Sequence, residues 1–340
     1  MDITKGPPPN IGDLDKAEKL YQQALALQED SSVFLKDSKA IPLLKQAADL
    51  GHQEAQFRLG LRYYNEFSTI LALLEPSLRA PFELEKGDSQ IKSYNWFKKA
   101  ADTGHTKALF YLSECLREGI GVKADLDKSL ECLTEAAERG YSAAQLKLAE
   151  HHLKGELLPK DSTSAINWFL KAADQGSTDA CLALAVLFHE GSEVGKNYEE
   201  AASWWSKAAH LGNSLAMKSL GLSYQRGEGV PQSFEKGVEW FQEAIKCANP
   251  DPQAFFLLGL SYLSGKGVDK NNSQAFKYIT ESAERGYPLG LYALGELYQN
   301  GIGTQSNPKM AHKIMNFATY AGDETIVDAV NDFIKREHLE

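Results

Sequence analysis

Apolar residues recur along this chain on two scales. On the short scale they fall three or four apart. Ala216, Leu220 and Tyr224 stand at i, i+4 and i+8, with Gly221 beside Leu220, which is the spacing of one helical face. Gly227-Glu228-Gly229-Val230-Pro231 ends that stretch, because glycine accepts a left-handed cap and proline cannot continue a helix. A second stretch follows, with Val238, Trp240, Phe241, Ala244 and Ile245 apolar. The local pattern predicts two helices joined by a tight glycine turn.

On the long scale this unit repeats. Ala47-Ala48, Ala100-Ala101, Ala136-Ala137, Ala172-Ala173 and Ala208-Ala209 each precede a glycine, at Gly51, Gly104, Gly140, Gly176 and Gly212. A largely aromatic column runs Trp96, Cys132, Trp168, Trp204, Trp240, Tyr278 and Ile314, with spacings of 36, 36, 36, 36, 38 and 36. A leucine column runs Leu59, Leu112, Leu148, Leu184, Leu220, Leu258 and Leu294, with spacings of 53, 36, 36, 36, 38 and 36. The slip of two coincides with Asn249-Pro250-Asp251-Pro252, a lengthened turn. The first spacing is 36 plus 17, an insertion between Tyr64 and Ser93. A glycine in mid-helix costs about 1 kcal/mol against alanine. It nevertheless recurs as Gly60, Gly221, Gly259 and Gly295, with Ser113, Ala149 and Ala185 in the same column, which predicts close approach of a partner helix.

The motif Ala-x3-Leu-Gly-x2-Tyr-x2-Gly-x-Gly-Val, then Ala-x2-Trp-x3-Ala-Ala-x2-Gly, resembles the Sel-one-like repeat (SLR), a relative of the tetratricopeptide repeat. Ala216 to Gly229 matches it almost in full, and the resemblance covers roughly residues 36 to 322. It implies an all-α fold, a right-handed α/α solenoid of stacked antiparallel helix pairs. The expected organisation is an N-terminal tail at 1–11, a degenerate helix pair at 12–51, and seven SLR pairs over 52–322, with the insertion at 66–90 in the first. Residues 323–340 are expected to form a capping helix, since Ile326, Val327, Val330, Phe333 and Ile334 share one helical face.

Composition narrows the function. The chain has 340 residues, 43% hydrophobic and 24% charged, enough apolar content for a core. Its net charge is -10, which argues against nucleic acid as the partner, because phosphate binding relies on clustered cations. No run reaches ~18 apolar residues, so no membrane span is expected. No signal-like run opens the chain, and cytoplasmic residence is the default, with non-Sec export into a host cell as the other route. Four cysteines are too few for a disulfide scaffold. The resemblance brings up repeat disulfides known in some extracytoplasmic members, but only Cys115 and Cys132 share a repeat here; buried free thiols are expected.

Candidate chemistry is sparse. Gly119-Ile120-Gly121, Gly227-Glu228-Gly229, Gly265-Lys266-Gly267 and Gly301-Ile302-Gly303 recur at the period between helices; a phosphate loop would need a preceding strand and a third glycine. His151 and His152 are adjacent, not spaced as metal ligands, and His152 takes the column of Tyr224, Tyr262 and Tyr298. No metal, cofactor or catalytic residue is expected.

By analogy with the tetratricopeptide arrangement, the first helix of each pair lines the concave face. One column there reads Phe57, Phe110, Leu146, Leu182, Lys218, Phe256 and Tyr292. The next reads Leu61, Glu114, Glu150, Val186, Leu222, Leu260 and Glu296, and a third Tyr64, Arg117, Leu153, His189, Gln225, Leu263 and Gln299. The candidate partner-binding residues are Phe57, Leu61, Tyr64, Phe110, Glu114, Arg117, Glu150, His189, Leu222, Gln225, Leu260, Tyr292, Glu296 and Gln299, with Ile70, Leu73 and Leu74 of the insertion. An apolar helical stripe is also what ordinary core looks like. The expected function is a non-catalytic scaffold or adaptor binding one or more proteins or peptides, in complex assembly, as a bacterial effector or as an immunity protein. The alternative is a hydrolase with its site in the groove.

Overall fold

The computed structural model describes residues 11–27, 40–73 and 87–320. The expected N-terminal tail up to residue 10, the part of the insertion over 74–86 with Leu74, and the C-terminal cap over 323–340 lie outside the described residues. Among the described residues there are sixteen α-helices and no strand. They fall into two compact units, Met1–Ala172 and Ala173–Glu340.

In the first unit, α1 (Ile11–Ala26) packs on α2 (Ala40–Asp49), α3 (Gln53–Leu73) on α4 (Asp88–Asp102), and α5 (Thr106–Glu118) on α6 (Leu126–Glu138). Then come α7 (Ser142–Lys154) and α8 (Ser162–Asp174), within which the division falls. In the second unit, α9 (Thr178–Glu190) packs on α10 (Tyr198–His210), and α11 (Ser214–Arg226) on α12 (Phe234–Ala244). The same holds for α13 (Pro252–Ser264) with α14 (Asn272–Glu284), and α15 (Pro288–Asn300) with α16 (Pro308–Tyr320). Within each unit, helix pairs follow one another and pack in succession, the α/α solenoid class.

Side-chain caps set the helix starts. Asn197, Ser233 and Asn271 accept the N–H of Glu200, Lys236 and Gln274, which satisfies a donor that the first helical turn leaves open. The first helix of the insertion repeat is longer than its counterparts: α3 has 21 residues where α5, α7 and α9 have 13. The insertion is expected to run to residue 90, but α4 begins at Asp88. The Gln90 side chain reaches back to accept the Gly87 N–H at 3.0 Å and so caps the helix two residues earlier.

The mid-helix glycines are contact points. A Cβ built on Gly60 would stand 2.5 Å from the Phe97 ring, on Gly221 2.5 Å from Phe241, on Gly259 2.6 Å from Ile279, and on Gly295 2.7 Å from Met315. Those four partners are fully buried. The residue that meets the glycine therefore lies one position after the aromatic column. Trp96, Trp168 and Trp240 of that column are half-buried. Lys99, Lys171 and Lys207 lie 4.3, 3.8 and 3.6 Å from the ring centroids of Trp96, Trp168 and Trp204.

The paired loop glycines have distinct tasks. The first caps the helix: Gly227 has φ 71° and its N–H bonds the Ser223 carbonyl. The second lets the loop touch its neighbour. A Cβ on Gly121, Gly229, Gly267 or Gly303 would fall 2.2, 1.9, 2.2 or 2.1 Å from the carbonyl oxygen of Gln90, Tyr198, Phe234 or Asn272. Each of those carbonyls belongs to the first turn of the preceding second helix.

Candidate functional site

In the first unit the candidate residues stand on α3, α5 and α7. Phe57 leaves the surface set. It is 6% exposed, stacks on His105 at 4.7 Å and tilts against Phe97 and Tyr111, so its area is already spent on the core. Leu61, Tyr64 and Phe110 are partly buried against the same cluster. Burial, followed by the charges of Cys115 and Glu114, pushes the Tyr64 hydroxyl up to about 12. The acidic positions hold their own cations: Glu114 pairs with Arg117 at 2.6 Å and Glu150 with Lys147 at 3.4 Å. This part of the face is aromatic with internally neutralised carboxylates, less acidic than the residue types alone imply. Backbone places Ile70 and Leu73 in the last turns of α3.

In the second unit the candidates stand on α9, α11, α13 and α15. Val186 and Leu260 are 39% and 38% exposed, and Leu222 between them in the column is half-buried. These three large apolar side chains occupy one column on three successive first helices. The next column is polar except at Leu263 and tied across repeats. His189 Nε2 lies 3.4 Å from Glu228 Oε2, and Gln225 donates to Ser261 Oγ at 3.4 Å. At the far end Tyr292 donates to Glu296 at 3.1 Å, with Gln299 half-buried nearby in sequence. Lys218, in the mostly apolar first column, is buried and pairs with Asp251 at 2.8 Å, donating also to Gln253.

A pocket of about 110 Å³ opens between α9 and α11, lined by His189, Trp205, Ser219, Leu222, Ser223, Arg226 and Glu228. It contains serine, histidine and glutamate without the connectivity of a nucleophilic triad. Ser219 Oγ donates to the Leu215 carbonyl at 2.9 Å and Ser223 Oγ to the Ser219 carbonyl at 3.1 Å. Both hydroxyls are thus bonded to their own helix instead of to the imidazole a nucleophile would need. Among the described residues no three of His, Cys, Asp and Glu are grouped as a metal site would be, and no helix is long and apolar enough to cross a membrane. The four thiols are free; burial raises Cys115 to about 12 and Cys132 to about 11, far from the thiolate that reactivity needs.

The period, the glycine contacts and the loop seats all belong to one repeat type. The sequence profile of the Sel1 repeat matches residues 5–29, 33–52, 53–69, 84–105, 106–141, 142–177, 178–213, 214–249, 252–287 and 288–323. The chain belongs to the Sel1-repeat family. Proteins of this family generally mediate protein–protein interaction. The fold is similar to that of c5321, a protective antigen of uropathogenic Escherichia coli with an SLR fold, at 26% identity and TM-score 0.77, covering 96% of this chain and 68% of that one. A Sel1-repeat protein from Oxalobacter formigenes is similar at 26% identity and TM-score 0.67, covering 94% and 88%. In sequence, DAP3-binding cell death enhancer 1 of Rattus norvegicus is 35% identical over 94 residues, which is 28% of this chain and 15% of that protein's length.

Two features of this Sel1-repeat chain escape a reading by column. Trp205 lines the inner pocket at a position where Phe97, Leu133, Phe169, Phe241, Ile279 and Met315 stand elsewhere. The doubled Trp204-Trp205 is its sequence signal. His52 and His105 also share one position. Each accepts a helix N–H at Nδ1 3.1 Å away, and its Nε2 faces a carboxylate, Glu18 at 2.8 Å and Glu54 at 3.0 Å. Their separation of 53 residues, one period plus the insertion, was the available clue.

Proposed function

We propose that this chain is a non-catalytic scaffold, an adaptor that binds a segment of a partner protein along the first-helix face of its second unit. The observation that carries this is the column Val186, Leu222 and Leu260 on three successive first helices, exposed at Val186 and Leu260 and half-buried at Leu222, and flanked by His189, Gln225, Glu296 and Gln299. An apolar centre with a polar rim is the anatomy of a recognition surface. Glu114, Arg117, Glu150, Tyr64, Leu61 and Phe110 offer a second, aromatic and internally neutralised patch in the first unit. Four free thiols, two of them buried and two half-buried, suit a reducing compartment such as the cytoplasm.

The test is site-specific photocrosslinking in the native cell. A photoreactive residue at Leu222 or Leu260 is expected to give a discrete adduct with one protein, and one at exposed Glu239 is not. The Leu222 adduct should vanish when Val186 and Leu260 are both changed to Glu with helicity intact. An adduct that survives that double change, or none at Leu222 and Leu260, overturns the reading.

A further inference from the structure

The second-helix side of the second unit carries its own pocket. About 270 Å³ is open there, lined by Glu199, Ser203 and Ser206 of α10, Tyr224 of α11, Trp240 of α12 and Gly229 of the intervening loop. This is below the ~300–1,000 Å³ of sites for small organic ligands and suits a single side chain.

Trp240 differs from its counterparts. Trp96, Trp168 and Trp204 each have a lysine three residues on lying over the ring, at 4.3, 3.8 and 3.6 Å from the centroid. Three residues after Trp240 comes Glu243. Among the described residues no lysine or arginine lies over the Trp240 indole, which His210 meets edge-on at 6.0 Å. One repeat later the equivalent rings close the gap, with Tyr262 and Tyr278 stacked at 5.6 Å and 15°. Tyr224 and Trp240 instead both line the open pocket. Lys236 lies over Tyr224 at 5.4 Å and is not part of the lining.

We propose that this pocket receives the guanidinium of an arginine on a partner protein. An indole face attracts a cation through its quadrupole. Guanidinium is planar, stacks on rings and presents five donors, which meet the Glu199 carboxylate and the Ser203 and Ser206 hydroxyl oxygens. Glu199, Glu200 and Glu239 are exposed, while Glu243 is paired with Lys246 at 2.6 Å. The site thus takes from outside the cation that the other tryptophans receive from their own helices. It is independent of the first-helix face.

The test follows the indole N–H of Trp240 by NMR in the full-length protein, assigned by its absence in Trp240→Phe. Titration with N-acetylarginine methylamide is expected to give a saturable shift with a Kd of about 1–10 mM. The neutral N-acetylglutamine methylamide should give less than about a fifth of it. Glu199→Gln, an exposed substitution, should weaken the arginine probe about fivefold, and Leu289→Glu, an exposed substitution on α15, should leave it unchanged. An unmoved indole, equal shifts with the neutral probe, or undiminished binding by Glu199→Gln overturns the proposal. Tighter binding of N-acetyllysine methylamide overturns the guanidinium assignment.

Discussion

Two glycines with similar backbone angles carry very different constraints. Gly212 has φ 85° with nothing within 4 Å of a built Cβ, whereas Gly229 has φ 72° with the Tyr198 carbonyl oxygen 1.9 Å away. Gly212→Ala should cost about 1–2 kcal/mol, the left-handed penalty alone. Gly229→Ala adds a backbone collision and should cost at least about 2 kcal/mol more than that. Urea midpoints at constant m-value measure both, and equal losses would show that the loop contact is dispensable. His151 is a second case. It is 4% exposed, both ring nitrogens lack hydrogen-bond partners, with Glu156 3.8 Å from Nδ1, and its counterparts include Leu187 and Leu297, and Ser223 and Ser261. Burial, with help from Lys147 and Arg117, lowers its pKa. The unfolded chain therefore binds a proton that the folded chain refuses as pH falls below about 6.5. His151→Leu should gain melting temperature relative to the parent on going from pH 7.5 to 5.5, and a difference that does not change with pH would contradict this.

At the scale of the element, one imidazole can cap a helix and tie it to another. His105 caps α5 through Nδ1 and reaches Glu54 on α3 through Nε2. That hydrogen bond, ahead of the Arg58 contact, holds the Glu54 carboxyl at about 2. Its contribution is complete above the ordinary carboxylate range and fades as pH falls from 4.5 toward 2. His105→Asn keeps a capping side chain, as Asn213 shows for α11, and loses the ring's contacts with Glu54 and Phe57. His105→Ala loses the cap as well and should be about 0.5–2 kcal/mol less stable than the Asn variant. Equal stabilities of the two variants would mean that the cap contributes nothing.

For the whole chain, within each unit each helix pair contacts its neighbours and little else, so stability is local. Phe241→Ala empties a fully buried site beneath Gly221 and should cost about 3–5 kcal/mol. Hydrogen exchange should accelerate in α11, α12 and the pairs beside them and hardly at all in α5 and α6. Uniform acceleration across all helices would indicate one cooperative block. The period, the helix pairs and the close-packing role of Gly60, Gly221, Gly259 and Gly295 were legible in the sequence, because each copy shows the same small residue at the same place. The surface was less so. Phe57 is lost to the core through His105, Glu114 is neutralised by Arg117, and Trp205 reaches the inner pocket. Such outcomes depend on which side chain stands opposite, often some 30 to 50 residues away, and no single column records that.

The seat of the second loop glycine on the preceding second helix has a consequence for how such a chain changes length. Excising 214–249, one whole period, would bring Gly267 onto the carbonyl of Tyr198 in place of Phe234, a first-turn carbonyl like the one it left. Duplication would supply a new seat in the same way. Removing half a period would leave a glycine facing the wrong helix. Length is therefore quantised: the architecture can be edited like a text whose only legal cuts fall between sentences.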